Sequence, residues 1–304
     1  MKIAIFGTGG VGGYYGGLLA RHGQEVTFLA RGAHLEAIRA DGLQIRSVHG
    51  DFIVQPANAT DDPAAVGPVN LVLVCTKTYA SLDSLPALVG PGTTVVSLQN
   101  GIDAAERIGA LVGMEPVLGG ATWLSAAIEA PGVIRQVSDF RRVVIGELTG
   151  PPSARVEAVA AAFRPTGVTI EVSGNIAKVL WTKFLFIAAA SGVGALTRLE
   201  LGAFRSVPET RLLLTGLMRE VETLAHAAGI PLDADVVDQT LAFIDKSAPQ
   251  IKPSMQRDVE AGKPFELEAI IGVIGRKGRL LGVPTPIADT IYAALLPIFH
   301  KAGL

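Results

Sequence analysis

Lys2-Ile3-Ala4-Ile5-Phe6-Gly7-Thr8-Gly9-Gly10-Val11-Gly12 is the stretch that decides the fold. Four apolar residues after Lys2 read as a buried strand, and the G-x-G-x-x-G run behind it opens a helix over about 10–22. In that setting the glycine spacing has a mechanism. The first glycine permits a tight turn, the second lets a pyrophosphate approach the backbone, and the third lets helix pack closely on strand. Unpaired N–H groups at the helix start then favour phosphate. The plainer alternative is a glycine-rich turn with no ligand. Placement directly after the first strand favours a dinucleotide, with Gly7, Thr8, Gly9, Gly10, Val11 and Gly12 as its cradle.

Working outward, short apolar runs alternate with helical patterns, as expected of a doubly wound α/β domain with a parallel sheet. Strands are read at Glu25 to Leu29, Leu71 to Cys75, Thr94 to Leu98 and Thr169 to Val172. Gly132 to Val137 and Arg141 to Gly146, separated by Ser138-Asp139-Phe140, predict an antiparallel hairpin. Beyond Gly174 strand-like runs all but vanish, and helices are read at 175–190, 209–228, 235–246 and 268–281. The expected organisation is a Rossmann-type domain over 1–172 and an all-helical domain over 173–304.

The chain has 304 residues, with 26 Lys plus Arg against 28 Asp plus Glu. That balance argues against nucleic acid as a partner. With 49% hydrophobic and 18% charged residues it is not a disordered chain. The most apolar stretch, Phe184 to Leu196, is short and broken by Ser191, Gly192 and Gly194, so no membrane span is expected. Glycines interrupt the apolar run after Lys2, so no signal peptide is read either. A single cysteine, Cys75, excludes an internal disulfide and fits a cytoplasmic protein. Cys75 itself reads as strand core.

The second strand ends in Leu29-Ala30-Arg31-Gly32. An NAD site normally carries Asp or Glu here for the ribose 2′-hydroxyl. Arg31 instead suits a 2′-phosphate, which makes NADPH the expected cofactor; a solvated charge is the competing reading. Two further loops, Thr76-Lys77-Thr78 and Gln99-Asn100-Gly101, follow strands of the same sheet and should border a bound ligand. Lys77 offers a positive charge there and Asn100 an amide. None of the five histidines sits in an informative setting, and no pair has metal-ligand spacing, so no metal site is expected. Lys183, within Leu180-Trp181-Thr182-Lys183-Phe184, lies in the most apolar helix. A lysine there either snorkels to water or sits in a cleft with a lowered pKa, able to donate a proton. Ser254 is a candidate carboxylate-binding hydroxyl, while Glu266 also reads as an ordinary acid at a helix start.

Taken together, the glycine motif, Leu29-Ala30-Arg31-Gly32, Thr76-Lys77, Gln99-Asn100-Gly101, Leu180-Trp181-x-Lys183 and Ser254-Met255-x-x-Asp258 followed by Glu266 resemble the ketopantoate reductase (2-dehydropantoate 2-reductase) family. The resemblance spans essentially the whole chain. It implies a Rossmann domain joined to a helical domain, with NADPH and a 2-oxo acid in the cleft between them. It implies Lys183 as general acid supported by Glu266, and Ser254 and Asn100 as substrate-binding residues. By the same resemblance Lys77 would lie beside cofactor and substrate, with Asn100 and Glu266 also near the cofactor. The implied reaction is ketopantoate to pantoate, in pantothenate and coenzyme A synthesis.

The chain departs from that pattern in one region. Members dedicated to ketopantoate place Asn one turn after the catalytic lysine and again a turn later, where this chain has Ile187 and Ser191. A further family Asn falls near Leu201. Ile187 and Ser191 are therefore the candidate substrate-pocket residues, and an apolar pocket is expected. Two alternatives stand beside the ketopantoate reading. One is a relative reducing a more apolar 2-oxo acid or ketone, and the other is a non-catalytic NADPH-binding sensor. A homodimer stays open as the assembly.

Overall fold

The computed structural model describes residues 1–303; Leu304, the last residue of the expected second domain, lies outside the described residues. Met1–Gln99 with Ala104–Ile176 form one compact unit, and Asn100–Asp103 with the residues from Ala177 onward form another. The division thus falls at 176/177, not at the expected 172/173, and a four-residue loop changes sides. Ile176 stays with the first unit for a steric reason. Its side chain fills the space where a Cβ on Gly119 or Gly146 would stand, at 2.7 and 3.1 Å.

The first unit is built from twelve strands. They are β1 (Lys2–Phe6), β2 (Glu25–Leu29), β3 (Leu43–Ser47), β4 (Phe52–Val54), β5 (Asn58–Thr60), β6 (Leu71–Val74), β7 (Thr94–Ser97), β8 (Val117–Trp123), β9 (Ala126–Ala130), β10 (Val133–Gln136), β11 (Arg142–Gly146) and β12 (Thr169–Val172). Its helices are α1 (Gly10–Arg21), α2 (Gly32–Asp41), α3 (Pro63–Val66), α4 (Ala104–Val112) and α5 (Ala154–Phe163). An eight-stranded sheet runs in the order β12-β11-β8-β7-β6-β1-β2-β5. Every neighbouring pair in it is parallel except β8 with β11. This is the Rossmann-type doubly wound arrangement. Strands β6 and β7 are buried along their whole length, which explains the unbroken apolar run Leu71–Val74 in β6.

A second sheet, β4-β3-β10-β9, packs on the other side of α1. The glycine-rich sequence of that helix is what allows the double packing. A Cβ on Gly16 would stand 2.7 Å from Ile5 and Phe28 of the large sheet, and one on Gly13 would stand 2.7 Å from Ile134 of the small sheet. Tyr14 and Tyr15 between them are fully buried.

The expected hairpin from Gly132 to Gly146 does not form. β10 pairs with β3 and β9, whereas β11 pairs with β8 and β12, so the two runs lie in different sheets. The hairpin partner of β10 is β9, across a turn in which Gly132 takes φ 76°. Ser138 holds the intervening segment as a link instead of a turn. Its hydroxyl accepts from the Ser125 N–H at 3.0 Å and donates to the Phe140 carbonyl at 2.7 Å.

From Ala177 on, the described residues are helical: α6 (Ile176–Thr197), α7 (Leu201–Ser206), α8 (Pro208–Ala227), α9 (Val236–Lys246), α10 (Ser254–Glu260), α11 (Val273–Leu281) and α12 (Pro286–Lys301). The expected helix at 268–281 begins instead with a π-helical stretch, Glu268–Gly272. Contrary to the expectation from Phe184 to Leu196, α6 is long and apolar enough to cross a membrane by length and composition, at 22 residues. It continues through Gly192 and Gly194 because those glycines make room for neighbours: a Cβ there would meet Ile271 at 2.9 Å and Gln256 at 2.5 Å. With 61% of its most apolar window buried, α6 is the central core helix of this unit. Leu185, Ala189 and Val193 pack in the same core as Leu217, Ile271 and Ile291.

Candidate active site

The glycine turn shows three separate constraints. Gly7 takes φ 104°, and a Cβ there would lie 2.6 Å from the Thr76 side chain. Gly12 abuts the Gly7 carbonyl, where a Cβ would come within 2.2 Å, and packs on Ile5 and Cys75. Gly9 is different: nothing stands within 4 Å of its Cβ position. It is also the N-cap of α1, with no side chain capping the helix. The open approach to uncapped N–H groups is the space a pyrophosphate needs. Thr8 turns its hydroxyl to the Leu29 carbonyl at 3.0 Å, Gly10 abuts the Ala126 carbonyl, and Val11 packs against the core. These three hold the turn in place.

His34 braces that turn, a role for which the residues alone give no signal. Its Nε2 lies 2.8 Å from the Thr8 carbonyl, and its Nδ1 lies 2.9 Å from the Gly132 N–H. The carbonyl requires a donor and the amide an acceptor, so the ring is neutral with its proton on Nε2. Burial lowers its pKa, opposed by the bond to Thr8. Arg31 is the N-cap of α2 at the end of β2, and it is exposed. No carboxylate occupies the 29–32 segment.

Gln99 ties together the loops after β6 and β7. Its Nε2 donates to the Thr76 carbonyl at 3.0 Å and to the Thr76 hydroxyl at 3.1 Å. Arg107 of α4 donates to the Thr78 carbonyl at 2.6 Å. Lys77, half-buried, is carried on this braced loop in the first unit. Burial pushes the Cys75 thiol up to about 12, as befits a core residue and not a nucleophile.

In the second unit the Lys183 ammonium donates to Oδ1 of Asn100 at 3.1 Å. Burial lowers the Lys183 pKa to about 8, while the charge of Glu266 pulls it back up. Glu266 is itself buried, at 4% exposure. Lys183, Asn100 and Glu266, from widely separated parts of the chain, thus form one interacting group. Gly101 takes φ 101°, and a Cβ there would sit 3.0 Å from the Ala269 carbonyl, next to the π-helical stretch after Glu266. Glu268 opens that stretch and is held by Arg276 and by the Tyr292 hydroxyl, the latter at 2.5 Å. Wide turns of this kind recur at functional sites.

Ser254 is the first residue of α10 and half-buried. Ile187, one turn beyond Lys183, is half-buried against the helical core. Ser191 is buried at 2% exposure within α6. Leu201, the ungapped match to a family Asn, is fully buried in the core, its N–H bonded to the Ile251 carbonyl at 2.9 Å. Leu201 is therefore a packing residue and not part of the Lys183 group.

Residues 3–150 match the family described as ketopantoate reductase PanE/ApbA, and residues 175–298 match its C-terminal family. A 2-dehydropantoate 2-reductase from Mesorhizobium japonicum is 31% identical, with 100% of this chain and 99% of that protein covered. An uncharacterized oxidoreductase, YkpB of Bacillus subtilis, is 30% identical over 97% of this chain and 98% of its own. The crystal structure of a PanE/ApbA family ketopantoate reductase from Ralstonia eutropha superposes with a TM-score of 0.91 at 31% identity, covering all of both chains. With its glycine turn, its Lys183 group and these matches along both units, the chain belongs to the ketopantoate reductase PanE/ApbA family of oxidoreductases.

Proposed function

We propose that this protein reduces a 2-oxo acid to the 2-hydroxy acid with NADPH, ketopantoate being the first substrate to test. The observation that carries the reading is the Lys183–Asn100 bond beside buried Glu266. A carbonyl reduction needs a proton for the oxygen that gains charge, and a donor with a pKa near the working pH is best suited. Lys183, lowered to about 8, meets that condition. When bound, a reduced nicotinamide supplies the hydride.

The roles of the residues follow from their chemistry. Lys183 donates its proton to the carbonyl oxygen of the substrate and is reprotonated from solvent. Glu266 keeps it cationic in a site where burial alone would neutralise it. Asn100 orients the ammonium through its amide oxygen and keeps its amide N–H groups for the substrate. Ser254 contributes a hydroxyl to the substrate carboxylate, and Lys77 a positive charge. Gly7, Gly9 and Gly12 admit the pyrophosphate, and Arg31 pairs with the 2′-phosphate.

A second substrate class is favoured by one observation. Ile187, half-buried one turn from Lys183, offers methyl groups where a hydroxylated substrate would need an amide. A less hydroxylated 2-oxo acid suits that side chain better. A panel of 2-oxo acids, followed by NADPH consumption, tests both readings. No turnover with any of them would reject the reductase reading. The protein on this reading works in the cytoplasm on a small molecule, without nucleic acid or membrane, and sedimentation tests whether it does so as a homodimer.

A further inference from the structure

We infer that the first unit carries a second small-molecule site, a pocket for a phosphate group at the end of α1 remote from the glycine turn. A cavity of about 200 Å³ is lined there by Tyr14 and Arg21 of α1, His22, His49, Phe52 and Arg141, among others. No Asp or Glu is in the lining. The two arginines come from separate segments, the end of α1 and the link before β11, and His49 joins them from the β3–β4 turn, so the lining converges through folding and not through a local charge run.

Neither guanidinium group is spent on a carboxylate of the described residues. Arg21 lies over the Phe52 ring, 4.8 Å from its centre, which fixes the side chain without neutralising it. Arg141 reaches the Tyr14 hydroxyl at 3.4 Å. Among the described residues neither takes part in an ion pair. Tyr14 is itself fully buried, and its hydroxyl oxygen serves to position Arg141. Each histidine has committed one ring nitrogen to a backbone carbonyl. His22 uses Nδ1 on Leu18 at 2.8 Å, and His49 uses Nε2 on Asp139 at 2.9 Å. The other ring nitrogen of each of these pocket-lining residues can accept from a protonated phosphate oxygen.

Donors approaching from several directions suit a tetrahedral oxyanion, whereas a planar carboxylate is satisfied by one arginine fork. The negative pole of α1 opposes an anion here, but it amounts to only about half a charge against two arginines. Free phosphate and a phosphate monoester share the chemistry that this pocket recognises.

Calorimetric titration of the full-length protein at constant ionic strength, with inorganic phosphate and with glycerol phosphate, tests the assignment. Arg21→Gln and Arg141→Gln are each expected to weaken phosphate by about tenfold or more, while Arg31→Gln leaves it unchanged. Arg21 is exposed, so its variant keeps the fold even if Arg141→Gln does not. Tighter binding of the monoester would mark a phosphorylated metabolite as the ligand, and equal binding would mark free phosphate; either outcome supports the site. Absence of binding to the wild type, or loss only in Arg31→Gln, would overturn it, the latter because the phosphate then sits at the dinucleotide turn. Equal affinity for a dicarboxylate would also overturn it.

Discussion

Lys183 and Asn100 stand 83 residues apart in the chain, yet one ammonium proton bridges them at 3.1 Å. The bond lies wholly within the second unit, because Asn100–Asp103 belongs there and not with the strand that precedes it. Burial favours the neutral amine, and the charge of Glu266 opposes it, so the ammonium is held with a lowered pKa.

Replacing Lys183 by Ala is expected to lower kcat for 2-oxo acid reduction by about 10²-fold or more, the usual weight of a general acid. The donor must be protonated, so the wild-type rate should fall as pH rises through about 8, the value to which burial lowers Lys183. The variant should lose that limb of the profile. A wild-type limb that persists in Lys183→Ala would assign the proton to another group.

Arg31→Asp places a carboxylate where the 2′-phosphate is expected. NADPH affinity should drop by about tenfold to a hundredfold, and NADH affinity much less. Calorimetry with both cofactors decides it, and an unchanged NADPH affinity would remove Arg31 from the site.

Gly9→Ala and Gly12→Ala should fail in opposite ways. The Gly9 methyl enters open space, so the melting temperature should hold while dinucleotide affinity falls. The Gly12 methyl would press on the Gly7 carbonyl at 2.2 Å, and stability should fall by about 1–3 kcal/mol. Thermal melting and cofactor titration of both proteins separate the two effects.

His34 makes stability depend on pH. Its folded pKa is lowered from 6.5, so the unfolded chain binds the extra proton more readily. Stability should therefore be complete above about 6.5 and decline as pH falls toward the folded value. Denaturant titrations from neutral to acid pH should show this decline in the wild type and a shallower one in His34→Gln. An identical slope in both would refute the bracing role.

For Ile187, kcat/KM should be compared between ketopantoate and its analogue lacking the hydroxyl. An apolar pocket discriminates by no more than about 10²-fold, whereas one built to bond a hydroxyl reaches about 10⁴-fold. The wild type is expected in the lower range, and Ile187→Asn should move the ratio toward ketopantoate. A wild-type preference for ketopantoate near the upper figure would reject the apolar pocket.

What could be read in the residues was local. The strand Lys2–Phe6 and the turn behind it are encoded within eleven positions, and the structure places both as expected. His34 could not be read, because its partners lie 26 and 98 residues away and neither is a side chain. The hairpin expectation failed for a related reason. Two β-rich runs near each other in sequence invite pairing, and only the long-range partners β3 and β8 decide otherwise. In α6 the glycines looked like breaks, whereas their lack of a side chain serves Ile271 and Gln256 on neighbouring segments. Leu201 shows the limit of an ungapped alignment, which takes no account of what the core requires.

The membership of Asn100–Asp103 has a consequence for how the protein can be taken apart. The chain passes between its two units at three places, Gln99/Asn100, Asp103/Ala104 and Ile176/Ala177. A gene cut once at the last of these yields a carboxyl-terminal fragment that keeps Lys183 and Glu266 but lacks Asn100. Its amino-terminal counterpart carries a stretch whose packing partners it does not encode. Splicing such halves from different relatives would therefore mix the two members of one hydrogen bond, and a faithful exchange must move residues 100–103 together with the helices.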